Sequence, residues 1–183
     1  FGSFPIDTFL HYDSAFRILN NEYPIRDYWI VSGFIIDFLQ SFFFKIFGVN
    51  WFAYTFHSSI FNFVISALSY HFFLSFKVSK TKSLIYTLSF ATLAYTISGT
   101  PFVDQHATFF LLISTYLIII ALNFPKKNYF WIFIVMLFFL SFLSKQVPTA
   151  YVIISQGIVL LYFFLKNKKT NVIKTIFLSL IFF

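Results

Sequence analysis

The sequence predicts an all-α protein: a polytopic bundle of transmembrane helices, with two amphipathic interfacial helices in its first outer loop. Three observations predict it. The chain is 59% hydrophobic and only 10% charged, against about 25% charged residues in a soluble domain. Its apolar runs approach the roughly 20 residues that a spanning helix needs. Its basic residues collect in alternate breaks between those runs, as topology requires. All but one of the 6 acidic residues (Asp7, Asp13, Glu22, Asp27 and Asp37) come before Gly48, and the exception is Asp104. Chemistry is therefore expected in the opening segment, since ionisable residues in membrane proteins mark function by default.

The outer loop spans residues 6–48. Phe9, Tyr12, Phe16, Leu19 and Tyr23 recur at three- and four-residue steps and form one apolar helical stripe. Asp7, His11 and Ser14 share another face, and Asp13 and Arg17 are an i,i+4 pair. Asn20, Asn21 and Pro24 end the helix, because the residue before a proline avoids the helical region. A second amphipathic helix is predicted from about Ser32 to Phe47, with Asp37, Ser41 and Lys45 on its polar side and Phe34, Phe38 and Phe42 on its apolar side. Such helices lie in the membrane interface, where the two would form a lid over the bundle.

Residues 50–183 read as transmembrane helices. Apolar runs fit at Trp51–Phe76, Ser83–Ser98, Ala107–Phe124, Tyr129–Ser144 and Thr149–Leu165, with a truncated sixth from Val172. Lys77, Lys80 and Lys82, then Lys126 and Lys127, then Lys166, Lys168, Lys169 and Lys174 mark cytoplasmic breaks. The outer loop, the break Gly99–His106 and Lys145 are thereby placed together outside. The chain starts at Phe1 and stops inside an apolar run, so 1–183 is expected to be a single but incomplete membrane domain. The lack of Cys excludes disulfides and thiol chemistry. The formal charge of +7 does not point to nucleic acid, because the basic residues fall where topology needs them.

The stretch LNNEYPIRDYW, followed by a Gly and an apolar helix ending KIFG, resembles the first outer loop of GT-C-type glycosyltransferases. This group uses polyprenyl-phosphate-linked sugars and includes protein mannosyltransferases and aminoarabinose transferases. Many members carry an Asp, often Asp-Glu, where the first span meets the loop, and an Asn/Gly-Glu-x-Pro-x-Arg-Asp turn further on. The matching positions are Asp7, and then Glu22 with Arg26 and Asp27. Thr8 stands in place of the usual Glu, and Asn21 in place of the usual Gly. FLSKQVPTAY is similar to a Leu-Thr-Lys-Gly-Pro turn between two later spans of the group, with Lys145 as its Lys.

The resemblance implies a sugar moved from a polyprenyl-phosphate donor to a lipid, glycan or protein acceptor on the outer face of a bacterial inner membrane. Such transfer needs a base for the acceptor hydroxyl and a positive environment for the departing phosphate. Asp7 is the candidate base, against a reading as helix N-cap. Asp13 is a second candidate, against a solvated partner of Arg17. Lys145 would bind the donor phosphate, against simple snorkelling. Glu22, Arg26 and Asp27 would support the loop. Asp104 and His106 are a further candidate site. As Asp-x-His they could supply two ligands to a divalent metal, against Asp104 as a helix cap; no other cofactor is implied. His57 reads as packing or contacting water. Two rival functions stand beside this one: a lipid or solute transporter, and a non-catalytic envelope-polysaccharide assembly protein.

Overall fold

A computed structural model describes residues 5–30, 32–96, 99–123, 129–166 and 176, with side chains from Thr8 onward. The described residues form seven α-helices and no strand: α1 (Pro5–Leu19), α2 (Ile35–Phe47), α3 (Trp51–Ser75), α4 (Lys80–Leu93), α5 (Val103–Asn123), α6 (Tyr129–Ser144) and α7 (Gln146–Lys166). Of these, α3, α5 and α7 are long and apolar enough to cross a membrane.

Two of the expected spans form helices too short to cross: α6 keeps the predicted bounds, and α4 runs Lys80–Leu93 where Ser83–Ser98 was expected. With 16 residues in α6 and 14 in α4, a rise of about 1.5 Å per residue leaves both short of a hydrocarbon core roughly 30 Å thick. The helix α4 ends at Leu93 because the chain turns sharply there. Gly99 adopts φ +68° and donates its N–H to the Thr96 carbonyl at 2.9 Å, and Thr96 Oγ1 donates to the Thr100 carbonyl at 2.8 Å. The sixth run, from Val172, lies outside the described residues except for Ile176.

The chain forms two compact units, Phe1–His106 and Ala107–Phe183. In the first, α2 packs on α1 and on α3, and α3 packs on α4. Ala15, Phe44, Ala53 and Tyr54 make a small buried cluster there, flanked by Tyr12 and Leu19. The core of the second unit is Ile118, Ala121, Trp131, Ile134, Leu160 and Phe164, with the Trp131 and Phe164 rings edge-on at 5.1 Å.

The ends of α1 to α3 follow from the sequence. Pro5 opens α1, where a missing N–H costs nothing. At its other end Asn21 takes φ +63°; Asn21 N–H donates to the Ile18 carbonyl at 3.1 Å and Glu22 N–H to the Arg17 carbonyl at 3.0 Å. This is the Schellman arrangement, which wants Gly or Asn at the left-handed position. At the end of α2, Gly48 (φ +80°) donates to the Phe44 carbonyl. Asn50 caps α3, its Oδ1 accepting from Ala53 N–H at 2.8 Å.

The faces of α1 and α2 depart from expectation. An interfacial helix turns its polar face to water. Here Asp37, Gln40 and Ser41 of α2 and Thr8, His11 and Ser14 of α1 are buried, while Phe9, Phe16, Phe38 and Phe42 are outward. The exposure of Phe42 is 59% and that of Asp37 only 2%. Buried polar side chains are tolerated where other protein groups hydrogen-bond them, as His11 does Asp37 and His57 does Gln40.

Candidate functional site

The first polar assembly is the turn that follows α1. Arg17 Nε donates to Asp13 at 2.8 Å, and its Nη1 donates to Glu22 at 3.2 Å. Arg26 Nε donates to Asp27 Oδ2 at 2.8 Å, and Arg26 Nη2 to the Asn21 carbonyl at 2.9 Å. Asp27 Oδ2 also accepts from Tyr23 N–H at 2.7 Å. The Arg26 guanidinium, and then the Tyr23 N–H, hold the Asp27 carboxyl below its ordinary range, and the Arg26 guanidinium is held above its own. Arg26 lies 4.6 Å from the centre of the Tyr23 ring. Ile25 sits at φ +72°, an unfavourable conformation for a β-branched residue. The turn is therefore fastened on both sides of a strained residue. Glu22, Arg26 and Asp27 all take part in this fastening, and Asp13 is an exposed partner of Arg17.

Asp7 lies in the first turn of α1, and its side chain is outside what the structure describes. Lys145, half-buried, is the single residue between α6 and α7, and its N–H donates to the Ser141 carbonyl at 2.9 Å. Asp104 and His106 both fall at the start of α5. Residues two apart on a helix do not share a face, so the pair cannot converge on one ion as an extended Asp-x-His could. Among the described residues, no group of three or more His, Asp and Glu is placed to hold a metal.

His106 instead joins a second assembly that the sequence did not reveal. His11 Nδ1 meets Asp37 Oδ1 at 2.7 Å, both side chains being buried. One turn along α2, Gln40 Oε1 lies 2.8 Å from His57 Nδ1. His57 Nε2 lies 3.1 Å from His106 Nε2, and His106 Nδ1 lies 3.1 Å from the Phe102 carbonyl. Phe43 stacks on His57 at 4.7 Å, and Phe61 touches both imidazoles at 4.9 and 4.5 Å. Nearby, Tyr54 Oη donates to the Thr8 carbonyl at 2.6 Å and Tyr28 Oη to the Ser14 carbonyl at 3.2 Å. Burial pushes the Asp37 carboxyl up, more strongly than His11 pulls it down. Burial, followed by the nearby Asp37 charge, pushes the Tyr28 phenol up to about 12.

The signal that could have found this seam is a polar stripe inside apolar helices. Asp37, Gln40 and Ser41 are spaced i, i+3, i+4, as are Thr8 and His11 at i, i+3. Among the described residues the protein is all-helical, with three helices long and apolar enough to cross a membrane and with buried ionisable groups in its first unit. Comparison with family models, with curated proteins and with solved structures finds no match to the chain.

Proposed function

We propose that the chain is part of a GT-C-type membrane glycosyltransferase. It would move a sugar from a polyprenyl-phosphate donor to a lipid, glycan or protein acceptor on the outer face of a bacterial inner membrane. The observation that carries the reading is the conformation of the turn Asn21–Asp27. The position where the similar family places Gly is Asn21, and it is left-handed at φ +63°, the conformation that Gly adopts without cost and Asn tolerates. The Arg and Asp of the same pattern are joined as Arg26–Asp27, which fixes the turn. In this reading Asp7 is the base for the acceptor hydroxyl and Lys145 stabilises the departing phosphate.

The test is sugar transfer from a radiolabelled polyprenyl-phosphate donor by the full-length protein in lipid nanodiscs. Removing a general base lowers a rate about 10²–10⁴-fold, so Asp7→Asn is expected to lose transfer on that scale while remaining folded. Lys145→Met is expected to lose donor affinity or turnover, and Lys145→Arg to lose less. Near-normal transfer by Asp7→Asn would reject the assignment of the base. One observation favours a transporter instead: His57 and His106 are buried on two helices long enough to span, where ionisable groups serve proton and ion pathways. Proton-coupled solute uptake into liposomes without sugar transfer would select that reading.

A further inference from the structure

The hydrogen-bond chain Gln40–His57–His106–Phe102 can be counted proton by proton. The Phe102 carbonyl only accepts, so His106 Nδ1 carries a hydrogen. If His106 is neutral, its Nε2 is a lone pair, and the 3.1 Å contact requires an N–H on His57 Nε2. If His57 is neutral too, its Nδ1 is a lone pair and needs a donor from Gln40. The side chain instead presents Oε1 to His57, and its buried Nε2 has no partner. An amide can meet His57 in either orientation: with Oε1 facing it, His57 Nδ1 also carries a hydrogen, and with Nε2 facing it the ring accepts. In the first orientation the two rings share three N–H protons, and in the second the two of a neutral pair.

We propose that Gln40, His57 and His106 form a buried site that binds a single proton and reports its presence through the orientation of the Gln40 amide. Without the proton, Gln40 Nε2 donates to His57 Nδ1, His57 Nε2 donates to His106 Nε2, and His106 Nδ1 donates to Phe102. The free atom of Gln40 is then a carbonyl oxygen, a less costly orphan than an N–H. Uptake of one proton from bulk water places a hydrogen on His57 Nδ1 and turns the amide by half a rotation. The rings then hold the third proton between their Nε2 atoms, and the unpartnered atom of the buried Gln40 is an N–H in place of the oxygen.

Phe43 and Phe61 flank the rings. From α1, the further titratable side chain is His11, and it is itself paired with Asp37 of α2. The inference does not depend on the transfer reaction.

The experiment is ¹⁵N NMR of ring-labelled histidines in the full-length protein in nanodiscs, with His57→Gln and His106→Gln used only to assign the signals. Between about pH 4 and 9, the range in which histidine switches operate, the pair is expected to take up one proton in total. In its neutral form His57 is protonated at Nε2 and His106 at Nδ1. Gln40→Glu supplies an obligate acceptor, and it is expected to raise the midpoint of uptake by about one pH unit or more, a tenfold gain in proton affinity. The proposal is overturned if both neutral rings share one tautomer, if each ring takes up its own proton, if the pair takes up none, or if the folded Gln40→Glu protein keeps the wild-type midpoint. The wild-type spectra decide the matter even if that variant does not fold.

Discussion

The two compact units solve the same problem in different ways. In the second, interior contacts are largely apolar: Trp131, Ile134, Leu160 and Phe164 interlock, and Ser114 and Thr115 donate back to the Leu111 carbonyl one turn earlier on their own helix. Its between-helix polar bonds among the described residues include neutral ones, Ser141 with Thr149 at 2.8 Å and Gln156 Nε2 donating to Thr115 at 2.9 Å. In the first, the helices are joined through ionisable groups: His11 to Asp37 across α1 and α2, then Gln40, His57 and His106 across α2, α3 and α5. Apolar packing in lipid gains little from burial, because lipid tails are as apolar as a protein core. Polar pairing is therefore the more specific fastener, and losing one partner of a buried pair is correspondingly costly.

The largest expected effect breaks that fastener. Asp37→Leu leaves the buried His11 Nδ1 without its partner. It should destabilise the protein by about 3 kcal/mol, between the cost of an unsatisfied polar group and that of a broken buried ion pair. The double variant His11→Leu/Asp37→Leu should recover most of the loss. Reversible unfolding in mixed micelles measures both, and a single variant as stable as wild type would remove the distinction between the units.

A smaller effect is expected from the apolar core. In water a buried Trp→Ala costs about 3–5 kcal/mol, but in lipid the transfer part of that cost falls away and mainly the cavity part remains. Trp131→Ala should therefore cost on the order of 2 kcal/mol in the same assay. A loss larger than that of Asp37→Leu would reverse the comparison.

The smallest effect belongs to the exposed turn. The Asp27 carboxyl is depressed by Arg26 and by the Tyr23 N–H. Its contribution to stability is therefore present above the ordinary Asp range and is lost as pH falls through the depressed value. A ¹³C carboxyl titration should find the Asp27 midpoint below that of a free Asp, and Arg26→Gln should move it up. An unchanged midpoint in Arg26→Gln would remove the guanidinium from the account.

Much of the fold was legible because local chemistry decides it. Composition announced apolar helices, and Asn20, Asn21 and Pro24 announced the end of α1. The run from Tyr129 to Ser144 gave the bounds of α6 as they stand. The ion pairs Asp13–Arg17 and Arg26–Asp27 involve residues near in sequence, so spacing sufficed to place them. The seam could not be read in that way. His11 meets Asp37, and His57 meets His106, across long stretches of chain, and nothing in the spacing says which helices adjoin. The sequence by itself determined that α1 and α2 each carry a polar and an apolar face. Only the tertiary structure decided that the polar faces turn inward, because the partners that make burial of Asp37 and Gln40 tolerable come from other helices.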